Sequence, residues 1–287
     1  MTTTQPKIAP PGVGVHENVP FGVYLQWDAV NPSLVKSPPR NMKRIKWDID
    51  HGDSKKSKSL DMGADVDLCV LEPDSFLMQV AVWKGARRVG KEYDAFEAAN
   101  DGKVLLNTTE YMQVVEIRDA IRTHPMASKL FASRARMKPS LVWDNPATGT
   151  LCKGQPDYVD ERIVDLKTCR DLDDRALDRA VIHFGYHVAS GAYTEAYDVL
   201  AKRRLDTVLL FVCTAPPYDV VVRPMSPDLI DYGIKEWNRL LAEMKECQAS
   251  GHWPGRAENE EVPIELPTWL EDKLDLTLDG KPVEELA

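Results

Sequence analysis

The sequence predicts an α/β fold with a mixed central sheet flanked by helices, and three observations lead there. Residues 143–168, WDNPATGTLCKGQPDYVDERIVDLKT, break short apolar runs with turn signals at 145–149 and 159–162, the pattern of a meander of strands. Two β-branched runs, 207–213 and 220–223, follow a long stretch of helical periodicity at 172–200. A second helical stretch, 228–250, comes after them. Strands interleaved with helices of this length suit a sheet flanked by helices.

Residues 1–20 are rich in Pro and Gly without periodicity and are expected to be a flexible N-terminal arm. One domain is expected over 21–255, followed by an acidic tail over 256–287. At its start Tyr24, Trp27, Leu34 and Met42 supply a small apolar element, with a helix beginning at Asn31-Pro32-Ser33 and interrupted at Pro38-Pro39. Residues 51–59 are polar and read as a loop. The next helix, 60–71, ends at Glu72-Pro73. At 100° per residue Asp61, Asp65 and Glu72 share one stripe, whereas Asp67 falls among Leu60, Ala64 and Leu71.

A strand is expected at 77–83 and helices at 93–100, 108–123 and 126–133. Thr108 or Thr109 would cap the second of these, and His124-Pro125 would divide it from the third. In 172–200, read as one helix, Leu177, Val181, Phe184 and Val188 lie on one side. Arg175, Arg179, His183, Tyr186, His187, Ser190 and Tyr193 occupy the opposite third. Such a stripe is either a solvated face or, being rich in cations and rings and poor in Glu and Lys, a surface that holds phosphates and bases. His183 and His187 have metal-ligand spacing but no third ligand nearby, which argues against zinc. The helix at 228–250 opens with Ser226-Pro227 and stops before Gly251, and Trp269 is expected to dock the tail.

Composition narrows the class. The chain has 287 residues, 43% hydrophobic, and its best apolar run, 208–213, is far shorter than the roughly 20 residues of a membrane span. No basic and apolar leader pattern opens the sequence, and the five cysteines are scattered with no C-x-x-C, so reduced thiols in the cytoplasm are expected. A net charge of −9 looks wrong for a partner of nucleic acid, since phosphate contacts need Lys and Arg. Yet 256–287 holds ten acidic and three basic residues, which is −7, leaving only −2 on the rest. Basic clusters at 36–46, 55–58, 84–91 and 202–204 are either solvated faces or the lining of a groove.

The chemistry concentrates at the end of the meander. Because side chains alternate along a strand, Asp165 and Lys167 point to one side and Val164 and Leu166 to the other. If the second and third strands pair antiparallel, Asp157 comes close to Asp165. Two carboxylates so placed repel unless a cation lies between them, and a hard divalent ion, Mg²⁺ or Mn²⁺, is the natural occupant. A lone D-x-K is also what an ordinary solvated hairpin carries. Asp67, on an apolar face, needs a cation or hydrogen bonds of its own.

The full string, Pro156-Asp157, seven residues, then Asp165-x-Lys167, resembles the PD-(D/E)XK restriction-endonuclease-like core. Its neighbours are similar to the RecE family, the nuclease domain of exonuclease VIII and its phage relatives. The similarity runs from Tyr24 to Trp269. It is carried by N-P-S-L-V-K at 31–36, the G-x-x-x-D-L-x-V-L-E-P run at 63–73, Thr109-Glu110-Tyr111, His124-Pro125, and W-D-x-P-x-T-G-x-L-C-K at 143–153. The D-L-K-T core, Tyr186-His187-Val188 with Tyr193, and Trp253-Pro254 complete it.

That resemblance implies a Mg²⁺-dependent exonuclease, for which Mn²⁺ substitutes. It would digest one strand of linear duplex DNA from a free 5′ end, in the cytoplasm of a bacterium carrying a phage or prophage. It further implies a RecT-like single-strand annealing partner and a ring-shaped homo-oligomer. Asp157 and Asp165 become metal ligands with the Leu166 carbonyl, Lys167 the catalytic lysine, and Arg175, Arg179, His183, Tyr186, His187 and Tyr193 contacts to DNA. Asp67 stands where the family places a histidine ligand and is read as its replacement. Lys138 stands in place of a glutamate and Ala189 in place of a glutamine. A structure-specific endonuclease, or a DNA-binding recombination scaffold without turnover, are the competing readings.

Overall fold

A computed structural model describes residues 7–36, 41–51, 58–131 and 136–265. In chain order its elements are β1 (Gly14–His16), α1 (Phe21–Gln26), α2 (Pro32–Lys36), α3 (Met42–His51), α4 (Lys58–Leu71), α5 (Pro73–Gln79), β2 (Val80–Trp83), α6 (Lys91–Ala99) and β3 (Val104–Asn107). Then come α7 (Thr108–Thr123), α8 (Ala127–Leu130), β4 (Arg136–Met137), β5 (Ser140–Asp144), β6 (Leu151–Gly154), β7 (Tyr158–Val159) and β8 (Ile163–Cys169). The chain continues through α9 (Asp174–His183), α10 (Tyr186–Ala201), β9 (Thr207–Cys213), β10 (Val220–Pro224) and α11 (Pro227–Ser250).

The main sheet has the order β10-β9-β8-β7-β4 and is mixed. Strands β8 and β9 run parallel, which obliges a crossover, and α9 with α10 supplies it. The other neighbours in this sheet are antiparallel. Alternation along β8 sends Val164 and Leu166 into a core with Val208, Leu210, Val212, Ile117 and Ile121, leaving Asp165 and Lys167 for the other face. A second, antiparallel sheet, β1-β5-β6, backs onto a core built with α10 and α11. There the two helices meet at glycines: a Cβ on Gly233 would stand 2.0 Å from the His187 carbonyl oxygen, closer than any side chain tolerates.

Several expectations are corrected by this arrangement. The meander is divided between two sheets: β6 pairs with β5, and it is the short β7 that pairs with β8. The helix expected over 172–200 is two helices. Gly185 adopts a left-handed conformation, φ +66°, that ends α9 and turns the chain into α10. The cap of α7 is Asn107 rather than Thr108 or Thr109, in a full capping box: Asn107 Oδ1 accepts from Glu110 N and Glu110 Oε2 from Asn107 N, both at 2.9 Å. Residues 77–79 finish α5 before the strand begins at Val80. The arm expected over 1–20 is tied down at its end, where Gly14–His16 pairs with β5 in the register Gly14↔Val142 to His16↔Ser140.

Residues from Pro254 onward form a separate unit. Its described part, 254–265, has a turn at 256–259 and no helix or strand; Trp269 lies outside the described residues. No helix of the described residues is long and apolar enough to cross a membrane.

Candidate active site

Register builds the site. Tyr158 pairs with Val164, so Asp157, one residue before, comes across from Asp165, one residue after. Its carboxylate is fastened there, Oδ2 accepting from the Leu166 backbone N–H at 2.7 Å. On the same strand Lys167 Nζ donates to Asp165 Oδ2 at 2.6 Å and to the Leu166 carbonyl at 2.9 Å. The charge of Asp165 acts on Asp157. Burial and neighbouring charges shift the members of such a pair together.

Burial, with the charges of Asp165 and Asp67, pushes Asp157 well above the ordinary carboxyl range. Burial would do the same to Asp165, but Lys167 and Lys36 outweigh it and hold that carboxyl low. For Lys167 burial opposes the charge, and the carboxylates of Asp165, Asp157 and Asp67 overcome it, keeping the ammonium charged. Asp67 is pushed up to about 6, chiefly by burial, against the pull of Lys167 and Lys138.

Asp67 reaches this neighbourhood through α4, which leans on β8. A Cβ on Gly63 would meet Thr168 Oγ1 at 3.3 Å, and Asp67, four residues on, lies on the same side of the helix. Among the described residues, however, no three His, Cys, Asp or Glu side chains gather as a metal cluster. The Lys167 ammonium rests on Asp165 at 2.6 Å, and the charge of Asp67 acts on Asp157.

The inward-facing donors are the carboxylates of Asp157 and Asp165 and the Leu166 carbonyl. These are hard oxygens that suit Mg²⁺ or Mn²⁺, and the Lys167 ammonium already rests on two of them as a cation would. The residues present fit such an ion.

The face expected for DNA contacts is divided by the break at Gly185. Arg175, Arg179 and His183 are exposed on α9, and Tyr186 is half-buried beside the carboxylates, with Lys167 Nζ 5.3 Å from its ring centroid. His187, Ser190 and Tyr193 instead face the interior, because α10 runs through the core against α11 and β5. His187 stacks on Tyr232 at 5.5 Å and its Nδ1 faces the Val181 carbonyl. Tyr193 packs against β6 so closely that a Cβ on Gly154 would stand 2.8 Å from its ring. Burial pushes the Tyr193 hydroxyl up.

Lys138 and Ala189 also find structural places. Lys138, at φ +43°, donates its N–H to the Asp157 carbonyl at 2.9 Å and its Nζ pairs with Glu72 at 2.8 Å, while Ala189 is buried in α10.

One group at the site had no role in the sequence reading. Lys36, at the end of α2, lies 5.6 Å from the Tyr186 ring centroid and feels Lys167, Asp165 and Asp157, and burial pushes it down to about 8. Its signal was present only as a member of a basic cluster and of N-P-S-L-V-K.

The family match and one solved structure agree with this architecture. A family described as a PDDEXK-like domain of unknown function (DUF3799) matches residues 32–265. The crystal structure of a candidate exonuclease from Eubacterium rectale superposes with a TM-score of 0.59 at 14% identity, covering 87% of this chain and 94% of that one. A phage-related exonuclease from Haemophilus somnus 129PT covers 78% of this chain and 96% of its own at 15% identity and a TM-score of 0.32. None of the curated proteins matches the sequence.

Proposed function

The chain belongs to the PDDEXK-like family DUF3799, and from that premise we propose that it is a metal-dependent exodeoxyribonuclease acting on linear duplex DNA. The observation that carries the reading is the pairing of Asp157 with Asp165 under the Lys167 ammonium, 2.6 Å from Asp165 Oδ2. Like charges pressed together in a half-buried niche are costly, and a cation-assisted hydrolytic site is what such a cluster equips a protein to be.

Asp157, Asp165 and the Leu166 carbonyl would hold Mg²⁺, with Mn²⁺ able to replace it. When bound, the ion supplies a Lewis acid for the phosphodiester and lowers the pKa of a nearby water. Lys167, kept charged by its carboxylates, orients that water and donates to the phosphate oxygen on which charge builds. Asp67 adds negative charge behind the pair. Arg175, Arg179 and His183 would meet the DNA backbone along α9, and Tyr186 would meet the strand beside Lys167.

The resemblance to the RecE family supports extending the proposal to digestion from a 5′ end, a ring-shaped homo-oligomer, and a RecT-like annealing protein that receives the exposed 3′ strand. It supports, too, a setting in the cytoplasm of a bacterium carrying the phage or prophage.

The test is digestion of 5′- and 3′-labelled linear duplex with Mg²⁺, set beside Lys167→Ala and beside covalently closed circular DNA. Loss of label from linear DNA by the wild type alone, with circles intact, is the expected result. Equal digestion by Lys167→Ala overturns the site, and cleavage of circles replaces the exonuclease with an endonuclease.

A further inference from the structure

The break between α9 and α10 has a consequence at its edge. Leu177, Val181 and Val188 are buried, but Phe184, which shares their side of the helical pattern, is turned out at the left-handed Gly185 and is 47% exposed. A single exposed Phe is ordinary. This one is the outer member of a series of rings. It stacks on Tyr186 with centroids 5.7 Å apart and planes 29° from parallel, and meets the edge of His183 at 4.8 Å.

Tyr186 is flanked by two ammonium groups, Lys36 at 5.6 Å and Lys167 at 5.3 Å from its centroid, and Lys167 is in contact with Asp165. The rings therefore run from solvent to the carboxylate pair.

Cations border the rings. On α9 the acids Asp174 and Asp178 are both engaged by Arg223. Arg175 and Arg179 are exposed on the same helix and form no ion pair with a described residue. An apolar π surface bordered by cations complements an unstacked nucleotide, which offers a flat base and an anionic backbone. Bases inside a duplex do not present that face, so the fitting ligand is the unpaired end of a strand.

We propose that Phe184, backed by Tyr186, is a stacking step that holds an unpaired nucleobase of a DNA strand while its adjoining phosphate lies at Lys36 and Lys167. The proposal rests on the nuclease reading for its purpose, though not for its chemistry. Phe184 is on this account a positioning residue: it touches the base and never the reacting atoms.

The experiment uses the full chain and a single-stranded oligonucleotide carrying a terminal 2-aminopurine, titrated without divalent ion so that nothing is cut. Wild type should quench the probe on binding. Phe184→Ala should bind about tenfold more weakly and lose the quench, as expected for one base–aromatic stack. Phe184→Trp should restore both, and Trp47→Ala, which removes the exposed ring stacked on His51, should leave both unchanged.

Equal affinity and quenching in Phe184→Ala, a loss that follows Trp47→Ala instead, or no binding of the oligonucleotide by wild type would each overturn the proposal. Hydrolysis of the same strand with Mg²⁺ is read in parallel, where Phe184→Ala should raise KM more than it lowers kcat. A wild type that quenches through Phe184 but hydrolyses nothing keeps the stacking step and removes the nuclease. A wild type that hydrolyses without any dependence on Phe184 does the reverse.

Discussion

Glu195 and Asp165 are both carboxylates with 7% of their surface exposed, and their surroundings could hardly differ more. A single oxygen of Glu195, Oε1, accepts from Trp143 Nε1 at 3.1 Å, Asn145 Nδ2 at 2.8 Å and Trp237 Nε1 at 3.3 Å. Asn145 Nδ2 also reaches Asn238 Oδ1 at 2.6 Å, and Asn145 Oδ1 accepts from Thr148 N and Oγ1. The donors are neutral, rigidly held, and drawn from β5, its following turn and α11. They fasten α10 to both.

Asp165 instead has a second carboxyl, Asp157, on which its charge acts, and two ammonium groups, Lys167 and Lys36, acting on it. Buried polar groups are satisfied in both places. The difference is that the first is satisfied by dipoles with no competing charge, while the second balances opposing charges that a ligand could displace. A carboxylate of the first kind holds a fold together; one of the second kind is equipped to do chemistry.

That contrast can be broken from either side. Asp157→Asn should lower Mg²⁺-dependent digestion of linear DNA by about 10²- to 10⁴-fold. Because it removes one of two repelling carboxyls, urea unfolding should show stability unchanged or raised by about 1 kcal/mol. A loss of several kcal/mol would place this pair among the structural ones.

Glu195→Ala should do the converse. Leaving three buried donors without an acceptor should cost about 3–5 kcal/mol in the same unfolding assay, while digestion per folded molecule, corrected by active-protein titration, is retained.

Next in size is the response to metal. At a hundredfold excess over its Kd, Mg²⁺ should stabilise wild type by about 2.7 kcal/mol, seen as a rise in thermal midpoint. The double variant Asp157→Asn with Asp165→Asn should show no rise, and Glu195→Gln the full one. The smallest effect is Glu195→Gln itself, which keeps a carbonyl oxygen for the three donors and should cost no more than about 1.5 kcal/mol. A cost as large as that of Glu195→Ala would mean that the carboxylate charge, and not the acceptor, holds the network.

Much of the candidate site could be read before any coordinates. The period of two along Ile163–Cys169 puts Asp165 beside Lys167 and sends Val164 and Leu166 to the core, because a strand leaves no other choice. The proximity of Asp157 to Asp165 was also foreseeable, although through the wrong partner strand: β7 is only two residues long, too short to register as a strand among the polar residues around it. Lys36 escaped because its charge was one of several in a basic cluster, and nothing local says which member faces carboxylates more than a hundred residues away. Phe184 escaped because helical periodicity continues across Gly185, so the pattern assigned it to the buried side.

What the sequence determined by itself was local: which residues alternate, where polar and apolar periods lie, and that an acid pair and an amine end one strand. Backbone sterics and side-chain direction settle those matters within a few residues. Which strands join which sheet, where the helical run at 172–200 breaks, and which members of its polar stripe reach the surface were decided only by tertiary packing. The crossover must bring β9 parallel to β8, and the backbone contact of Gly191 with Gly233 seats α10 inside the core. Both depend on the free energy of burying whole faces together, which no short window of sequence contains.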